Sequence, residues 1–484
     1  MTKGAYIDGR WQAGKGPVLT SIDPATGQVV WQEASAGPDQ VAAAVDAAHR
    51  AFQAWSDTSR EDRIALMRRY KAVLEARTPQ MAKALSQETG KALWETTAEL
   101  GSMIGKIEVS IAAFNERTGE KRTDMPFGQA VLRHRGHGVM AVLGPFNFPG
   151  HLPNGHIVPA LLAGDCVVFK PSEETPLAGQ ALVEALVEAG VPDGVVNLVQ
   201  GGREVGAALI EQEIDGLLFT GSAQAGAFFR RHFADRPDVI LALELGGNNP
   251  LIAWEVADIE AAAALVVQSA FITTGQRCSC ARRLIIPQGA AGNALIDAVL
   301  ALTQRLRIGA WDDADEVFMG PLISDRAAKA ARAAAASLPG QVLLAAGLVA
   351  GRSEAFIRPG LVDVTGHAVA DEEIFAPVLQ VRRVASLEEA IAAANATRFG
   401  LAAGVISDDA AVWNQFLSQS RAGVVNWNRP TTGAAGSMPF GGLGASGNHR
   451  PSAYYAADYC AYPIASFESQ HVQSTLKDIK GLIS

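Results

Sequence analysis

A glutamate and a cysteine, each set in a short glycine-containing phrase, are the residues of this chain best suited to chemistry. Glu244 lies in Leu243-Glu244-Leu245-Gly246-Gly247 and Cys278 in Gly275-Gln276-Arg277-Cys278. They stand 278 − 244 = 34 positions apart, too far for one helix face, so only a fold can bring them together. A thiol nucleophile and a carboxylate that activates water are the two groups needed to turn an aldehyde into an acid through a thioester. A free thiol has a pKa of about 8.5 and needs a helix dipole or a polar neighbour to react well at neutral pH. Taken singly, such a cysteine also reads as a small buried hydrophobe, and such a glutamate as a solvated strand end.

Further phrases accompany the pair. Gly144-Pro145-Phe146-Asn147-Phe148-Pro149 contains two prolines that make a rigid turn and fix the Asn147 amide. A fixed N–H donor suits an oxyanion, although an asparagine beside proline is also a common turn former. In Phe169-Lys170-Pro171-Ser172-Glu173, Lys170 and Glu173 could hydrogen-bond ribose hydroxyls, and the carboxylate would repel the extra phosphate of NADP. An exposed loop salt bridge is the other reading of that phrase. In Phe219-Thr220-Gly221-Ser222-Ala223-Gln224-Ala225-Gly226, Gly221 and Ser222 at a helix start suit a phosphate, while Ser222 also reads as a plain helix cap. The pattern is not G-x-G-x-x-G and no Walker lysine follows, so the standard dinucleotide and P-loop fingerprints are excluded. Glu373-Ile374-Phe375-Ala376-Pro377 is a later companion.

These phrases need elements to hold them. Apolar runs at 139–143, 166–169, 195–199, 217–219 and 240–245 alternate with amphipathic stretches such as 176–189 and 223–233. Strand, helix, strand, helix predicts a doubly wound α/β fold, a parallel sheet with helices on both faces and ligands outside the strands' carboxyl ends. After residues 246–250 a second α/β unit begins, with a helix over 259–270, Asp258 as its N-cap and a strand over 281–286. The alanine-rich stretch 327–336, punctuated by Arg and Lys, predicts a surface-packed helix. Upstream, Val41, Val45, Ala48, Phe52 and Trp55 share one helical face after the start signal Pro38-Asp39. Ile64, Met67, Tyr70 and Leu74 continue the pattern, and Gly90 ends the next helix. Residues 130–135 mix apolar and polar side chains and read as an edge strand or an arm.

A chain of 484 residues predicts two large domains with smaller attachments. Its 48% hydrophobic and 19% charged residues describe a well-packed soluble protein. A net charge of −9 gives no electrostatic reason to expect nucleic acid or an anionic membrane as partner, and leaves room for a local basic pocket. The first six residues lack the apolar core of a signal peptide, and no apolar run approaches the roughly 18 residues of a spanning helix. Four cysteines, Cys166, Cys278, Cys280 and Cys460, fit a reducing cytoplasm. Cys278-Ser279-Cys280 has no histidine near it in sequence and falls short of a zinc ligand set, so no metal is expected.

The phrases occur together and in order, and on them the chain resembles the aldehyde dehydrogenase superfamily, from the first helices to Phe440-Gly441-Gly442. The resemblance tightens over 149–156, 276–283 and 447–454, toward members that act on an acidic semialdehyde bearing two carboxylates. It implies NAD as cofactor, Cys278 as nucleophile, Glu244 as general base, and Asn147 with the Cys278 backbone N–H as the oxyanion hole. It implies Lys170 and Glu173 at the adenosine ribose, and the helix start Gly221, Ser222, Ala223, Gln224, Ala225 and Gly226 at the pyrophosphate. Glu373 and Phe375 fall to the nicotinamide ribose and ring. The domains implied are an NAD-binding one (1–122 and 139–245), a catalytic one (246–456) and a β oligomerisation arm (123–138 and 457–484), in a homodimer or homotetramer.

The expected partner is a small-molecule aldehyde. Candidate cations for its carboxylates are His151, His156, Arg277, Arg429, His449 and Arg450. Each also reads as an ordinary ion-pair residue, and two-pronged carboxylate recognition favours the arginines. Two positions depart from the family pattern: Phe146 replaces a common tryptophan, and Ala376 replaces a common glycine, so that an added methyl narrows that loop. Other readings are a dehydrogenase of a different semialdehyde, a thiol esterase or acyltransferase without NAD, and a non-catalytic structural protein. The esterase has no use for Lys170, Glu173 or the 221–226 turn, and the structural protein would tolerate loss of Cys278 and Glu244.

Overall fold

In a computed structural model, which describes residues 3–482, the apolar runs assemble into two seven-stranded sheets. The first places Ile240–Leu245, Gly216–Gly221, Val139–Leu143, Cys166–Lys170 and Val196–Val199 side by side and parallel. The short strands Ala5–Ile7 and Arg10–Gln12, which the hydrophobic pattern does not reveal, extend it antiparallel. Val139–Leu143 and Cys166–Lys170 are buried at every position, as strands covered on both faces must be. Helices Pro176–Glu188 and Ala223–His232 fall where the amphipathic pattern puts them.

The second sheet runs Gln341–Leu344, Gly360–Asp363, Val378–Val384, Ala281–Pro287, Asn249–Ala253, Ala402–Ile406 and Val424–Trp427, parallel except at Gln341–Leu344. Helix Ile259–Phe271 is capped by Asp258, whose carboxylate accepts the Ala261 N–H at 2.9 Å. The alanine-rich segment forms helix Asp325–Ser337, capped by Ser324. The chain passes from Leu245 in the first sheet to Asn249 in the second through only residues 246–248. The carboxyl end of the first sheet therefore faces the amino ends of strands in the second.

That seam changes one expectation. The Glu244 phrase follows its strand, but the Cys278 and Glu373 phrases precede theirs, at the amino ends of the adjacent strands Ala281–Pro287 and Val378–Val384. The second sheet thus presents its amino edge to the site. A second correction concerns 130–135, which lie in Gly128–Gly136, the central strand of a three-stranded sheet rather than an edge. The C-terminal strand Ala461–Glu468 returns to pair with it from Gly136↔Ala461 to Gln129↔Glu468, while Lys121–Met125 covers its other side.

The N-terminal helices are Pro38–Ser56, Arg60–Thr89 and Leu93–Arg117. Arg60–Thr89 stops at Gly90, whose φ of 74° is left-handed. A methyl there would stand 2.6 Å from Pro321 Cγ and 2.8 Å from Pro24 Cγ, so the turn is closed by packing as well as by backbone. We expect Gly90→Ala to cost on the order of 1–3 kcal/mol through the φ penalty and overpacking combined. A thermal midpoint equal to that of the parent would contradict this.

Candidate active site

Cys278 stands three residues beyond a tight turn, Ile272–Gly275, in which Thr273, Thr274 and Gly275 all have positive φ (55°, 54° and 68°). Two consecutive threonines in that region are strained, and surrounding bonds hold them there. The Thr273 hydroxyl donates to Glu95, and the Thr274 hydroxyl to the Gly320 carbonyl at 2.9 Å. Gly275 permits contact with the 373–377 loop, since a Cβ would fall 2.3 Å from the Ala376 carbonyl. Beyond the turn, Asn249 Nδ2 donates to the Cys278 carbonyl (2.7 Å) and the Cys280 carbonyl (2.8 Å). Asn249 Oδ1 accepts from the Ala402 N–H at 3.0 Å.

Arg282, with a side chain only 1% exposed, joins this loop to its neighbour. It donates to the carbonyls of Gly275 (2.7 Å), Arg277 (2.9 Å) and Ala376 (3.3 Å), and to Glu373 Oε1 (3.1 Å). Glu373 in turn packs over Gly246, where a Cβ would lie 1.8 Å from Oε2. Phe375 meets Phe146 edge-on, ring centres 6.0 Å apart.

Asn147 sits across from this loop. Its Nδ2 donates to the Gln276 carbonyl at 2.9 Å, and its own carbonyl accepts from Lys91 Nζ at 2.8 Å. Lys91 forms a buried ion pair with Glu99 and lies over the Phe148 ring at 4.1 Å. Glu99 Oε1 also accepts the N–H groups of Gly150 and His151, each at 3.0 Å. The turn is therefore fixed by a buried charge pair as well as by its prolines.

Glu244 is 4% exposed, and its Oε1 has no hydrogen-bond partner. Burial pushes its carboxyl up to about 7, against the opposing pull of Ser452 and Lys106. The Cys278 thiol is pushed up to about 12, first by burial and then by the negative charges of Glu244 and Glu373. The fold has brought the two together. Both line one cleft of about 1370 Å³, which Asn147, Glu373 and Phe375 also line.

The same cleft takes in Gly221, Ser222, Ala223 and Gln224. Ser222 caps helix Ala223–His232 by accepting the Ala225 N–H at 3.2 Å, and the helix N-terminus carries its positive dipole end toward the opening. Gly226 is buried where a Cβ would strike the Leu245 side chain at 2.4 Å, which lets the helix close on its strand. Lys170 is buried; Nζ donates to the Pro171 carbonyl at 2.9 Å and lies 3.6 Å from Glu173 Oε2. Burial lowers its affinity for a proton, and Glu173, which is exposed, counters that. Ser172 and Glu174, their neighbours, line the cleft.

The six candidate carboxylate-binding residues are dispersed, and none lines this cleft. His156 cannot act as a cation at neutral pH: Nδ1 bonds the Tyr459 hydroxyl (2.8 Å), Nε2 the Thr220 hydroxyl (3.2 Å), and burial pushes the ring down to about 3. His151 is likewise pushed down to about 4 by burial, with Lys106, Lys91 and Arg277 adding to the effect. Arg277 donates from Nε to the Thr273 hydroxyl at 2.8 Å, lies 3.6 Å from Glu95 and stacks 5.0 Å from the Phe148 ring centre. Arg429, His449 and Arg450 are exposed.

Sequence reading missed Arg282, Asn249, Lys91, Glu99 and Lys106. The visible signals were an arginine at the head of an apolar strand, and the carboxylates Glu95 and Glu99 spaced along one helical face.

The aldehyde dehydrogenase family model matches residues 11–463. The chain is 73% identical over 482 residues to an N-succinylglutamate 5-semialdehyde dehydrogenase of Caulobacter sp. (strain K31), covering 100% of each. It is 53% identical over 469 residues to the protein of the same name from Ectopseudomonas mendocina (strain ymp), covering 96% of each. Among solved structures, a 1-pyrroline-5-carboxylate dehydrogenase from Thermus with bound NAD has a TM-score of 0.90 at 31% identity, covering 96% of this chain and 92% of that one. An aldehyde dehydrogenase of Mycobacterium tuberculosis complexed with NAD+ has a TM-score of 0.90 at 29% identity, covering 98% and 99%.

The electrostatics of Cys278 can be checked in the protein alone. With the thiol held high, its thiolate fraction should climb about tenfold per pH unit through the neutral and mildly alkaline range. Alkylation by iodoacetamide, followed by intact mass with Cys278→Ser as blank, should rise in the same way. A rate already level at neutral pH would contradict the assignment.

Proposed function

The chain belongs to the aldehyde dehydrogenase family, and from that premise we propose that it oxidises N-succinyl-L-glutamate 5-semialdehyde to N-succinyl-L-glutamate with NAD, in the succinyltransferase route of arginine breakdown. The observation that carries the reading is the meeting of Cys278, Glu244 and the Asn147 amide in one cleft, beside a capped helix N-terminus. The names of relatives 52–73% identical over 96–100% of the chain support the choice of aldehyde.

The residues present fit the cofactor. The first turn of the helix after Ser222 offers the backbone N–H groups of Ala223 and Gln224 for a diphosphate, and Lys170 with Glu173 offers a donor and an acceptor for a ribose diol. The glycine at 246, held against the Glu373 carboxylate, leaves room where a side chain would block the cleft. Glu373 and Phe375 are assigned to the nicotinamide ribose and ring.

In the first half of the reaction, the Cys278 thiol, held protonated at rest by burial and by the charges of Glu244 and Glu373, gives up its proton to solvent. The thiolate adds to the aldehyde carbon. The oxygen that becomes negative is held by the Asn147 amide and the Cys278 backbone N–H, donors fixed before reaction by Lys91 and Asn249. NAD, when bound, supplies the hydride acceptor, and a thioester remains on Cys278. In the second half, Glu244 takes a proton from the water that attacks the thioester carbon, and the acid leaves as the thiol is restored. Because the base must be ionised, hydrolysis is lost as pH falls through the Glu244 pKa.

The candidates for the substrate's two carboxylates are Arg277 and the exposed Arg429, His449 and Arg450, acting from beyond the cleft lining; His151 is not a cation there, and His156 has both ring nitrogens bonded within the protein. We assign residues 1–122 and 139–245 to the NAD-binding domain and 246–456 to the catalytic one. Residues 123–138 and 457–484 are assigned to the arm of a homodimer or homotetramer, where Phe127 and Phe467 meet edge-on and exposed, the last two residues lying outside the described ones. Among the described residues no helix is long and apolar enough to cross a membrane, and all four cysteines are free, which supports a cytoplasmic enzyme.

Cys278→Ala should abolish NADH formation from N-succinylglutamate semialdehyde while NAD still binds; residual turnover at the parental rate would refute the nucleophile. Glu244→Gln should slow hydrolysis by about 10²–10⁴-fold and leave an acyl adduct visible by mass. Absence of both effects would remove Glu244 from the mechanism. Glu173→Gln should raise the ratio of NADP to NAD use, and an unchanged ratio would clear Glu173 of any part in ribose selection.

A further inference from the structure

Lys106 lies on helix Leu93–Arg117, outside every motif of the site, and is 4% exposed. Its ammonium makes one hydrogen bond among the described residues, to the Ala453 carbonyl at 2.5 Å, so two of its three N–H donors have no such partner. Ala453 carries a left-handed φ of 58° and belongs to the short strand Ser452–Ala453, paired with Pro439–Phe440. The segment leading to it is fastened along the edge of the first sheet. Asn448 accepts from the Leu243 N–H at 3.0 Å and donates to the Leu241 carbonyl at 2.7 Å, and Gly447 bridges to Glu244 itself. Ser452, next to the Lys106 acceptor, stands beside the Glu244 carboxyl. A helix remote in sequence thus fastens a buried ammonium to the strained, anchored turn whose Ser452 stands beside Glu244.

We propose that Lys106 is a positioning residue that keeps Glu244 ionised for thioester hydrolysis and so sets the acid limb of that step. The proposal rests on the reading of Glu244 as the deacylating base. Two buried opposite charges sustain one another where either alone would be driven neutral. Among the described residues, Glu244 is the one carboxylate that acts on Lys106, and Lys106 the one cation that acts on Glu244. Lys106 itself is lowered to about 8 by burial, so it remains charged at neutral pH. The other titratable groups facing the pair are uncharged there. His151 and His156, from helix His151–Ala163, are pushed down to about 4 and about 3. Tyr459 and Cys460, from the short helix Ala456–Tyr459 and its end, are held protonated by burial. Cys278, the remaining neighbour, carries no charge once it is acylated.

The test avoids both NAD and the semialdehyde. p-Nitrophenyl acetate acetylates Cys278 directly: the thiolate adds to the acetyl carbon and p-nitrophenolate leaves. Water then attacks the thioester, its proton goes to Glu244, and acetate is released as the thiol is restored. Lys106→Gln keeps a donor for the Ala453 carbonyl but removes the charge, and Lys106→Met is the second neutral variant. Both should retain a first-turnover burst of one nitrophenolate per chain. Deacetylation, followed by mass across pH, should show its acid limb moved upward by a unit or more, about tenfold slower at neutral pH and recovering in alkali. Lys106→Arg should keep the parental limb. A parental limb in the neutral variants, or an equal loss at every pH, would overturn the proposal. Glu244→Gln run in parallel separates the two readings: if hydrolysis persists there, the base assignment fails. If hydrolysis stops there while Lys106→Gln titrates like the parent, only the role of Lys106 fails.

Discussion

The Arg282 guanidinium is buried, and burying such a group is costly unless its donors are matched. Its two terminal nitrogens are matched by carbonyls on two different loops and by the Glu373 carboxylate, while Nε has no partner among the described residues. Those loops precede neighbouring strands and have no ladder bonds of their own at the site, so this one side chain sets their spacing. The strained turn at Thr273–Gly275 is tolerable because its carbonyl end is fixed in this way and its hydroxyls are fixed to Glu95 and Gly320. Cys278 therefore emerges from a loop with little freedom, which is what an attack at a defined angle requires.

The arrangement also assigns the two reactive groups different protonation states without separating them. Both are buried, and burial raises both. The thiol rises further because Glu244 and Glu373 stand near it, while the Glu244 carboxyl is pulled back by Ser452 and Lys106. The outcome is a protonated nucleophile facing a base poised near neutrality. That order suits the proposed reaction, in which the carboxylate is kept for the hydrolytic half.

What could be read from the sequence follows a physical rule. Strand 139–143 appears at its observed limits because complete burial leaves an unbroken apolar run, strand 240–245 because its run is apolar but for Glu244, and Asp258 and Gly90 mark helix ends by local chemistry. Glu244, Cys278 and Asn147 stand out in the sequence because they sit in glycine or proline phrases, and the fold brings all three to one cleft. Arg282 and Asn249 were not, because their roles are bonds to backbone carbonyls across long sequence separations, and nothing in their neighbours announces that. Of the two readings of 130–135, edge strand or arm, the edge fails because the pairing partner of Gly128–Gly136, Ala461–Glu468, lies more than three hundred residues downstream. His151 and His156 were misjudged as cations because sequence gives identity without burial.

Helix Leu93–Arg117 shows how that long-range positioning is organised. Glu95, Glu99 and Lys106 share its inward side, at intervals of four and seven residues, so their attachment points are separated by roughly 6 Å and 10 Å along the axis. Glu95 takes the nucleophile turn through Thr273 and faces Arg277. Glu99 takes the Asn147 turn through Lys91 and the Gly150 and His151 amides. Lys106 takes the turn beside Glu244 through Ala453. Thiol, oxyanion donor and base come from three separate segments of two sheets, yet each is referred to one rigid helix. Each of those helix charges is opposed by one from another segment, with Arg277 near Glu95, Lys91 paired to Glu99 and Glu244 acting on Lys106.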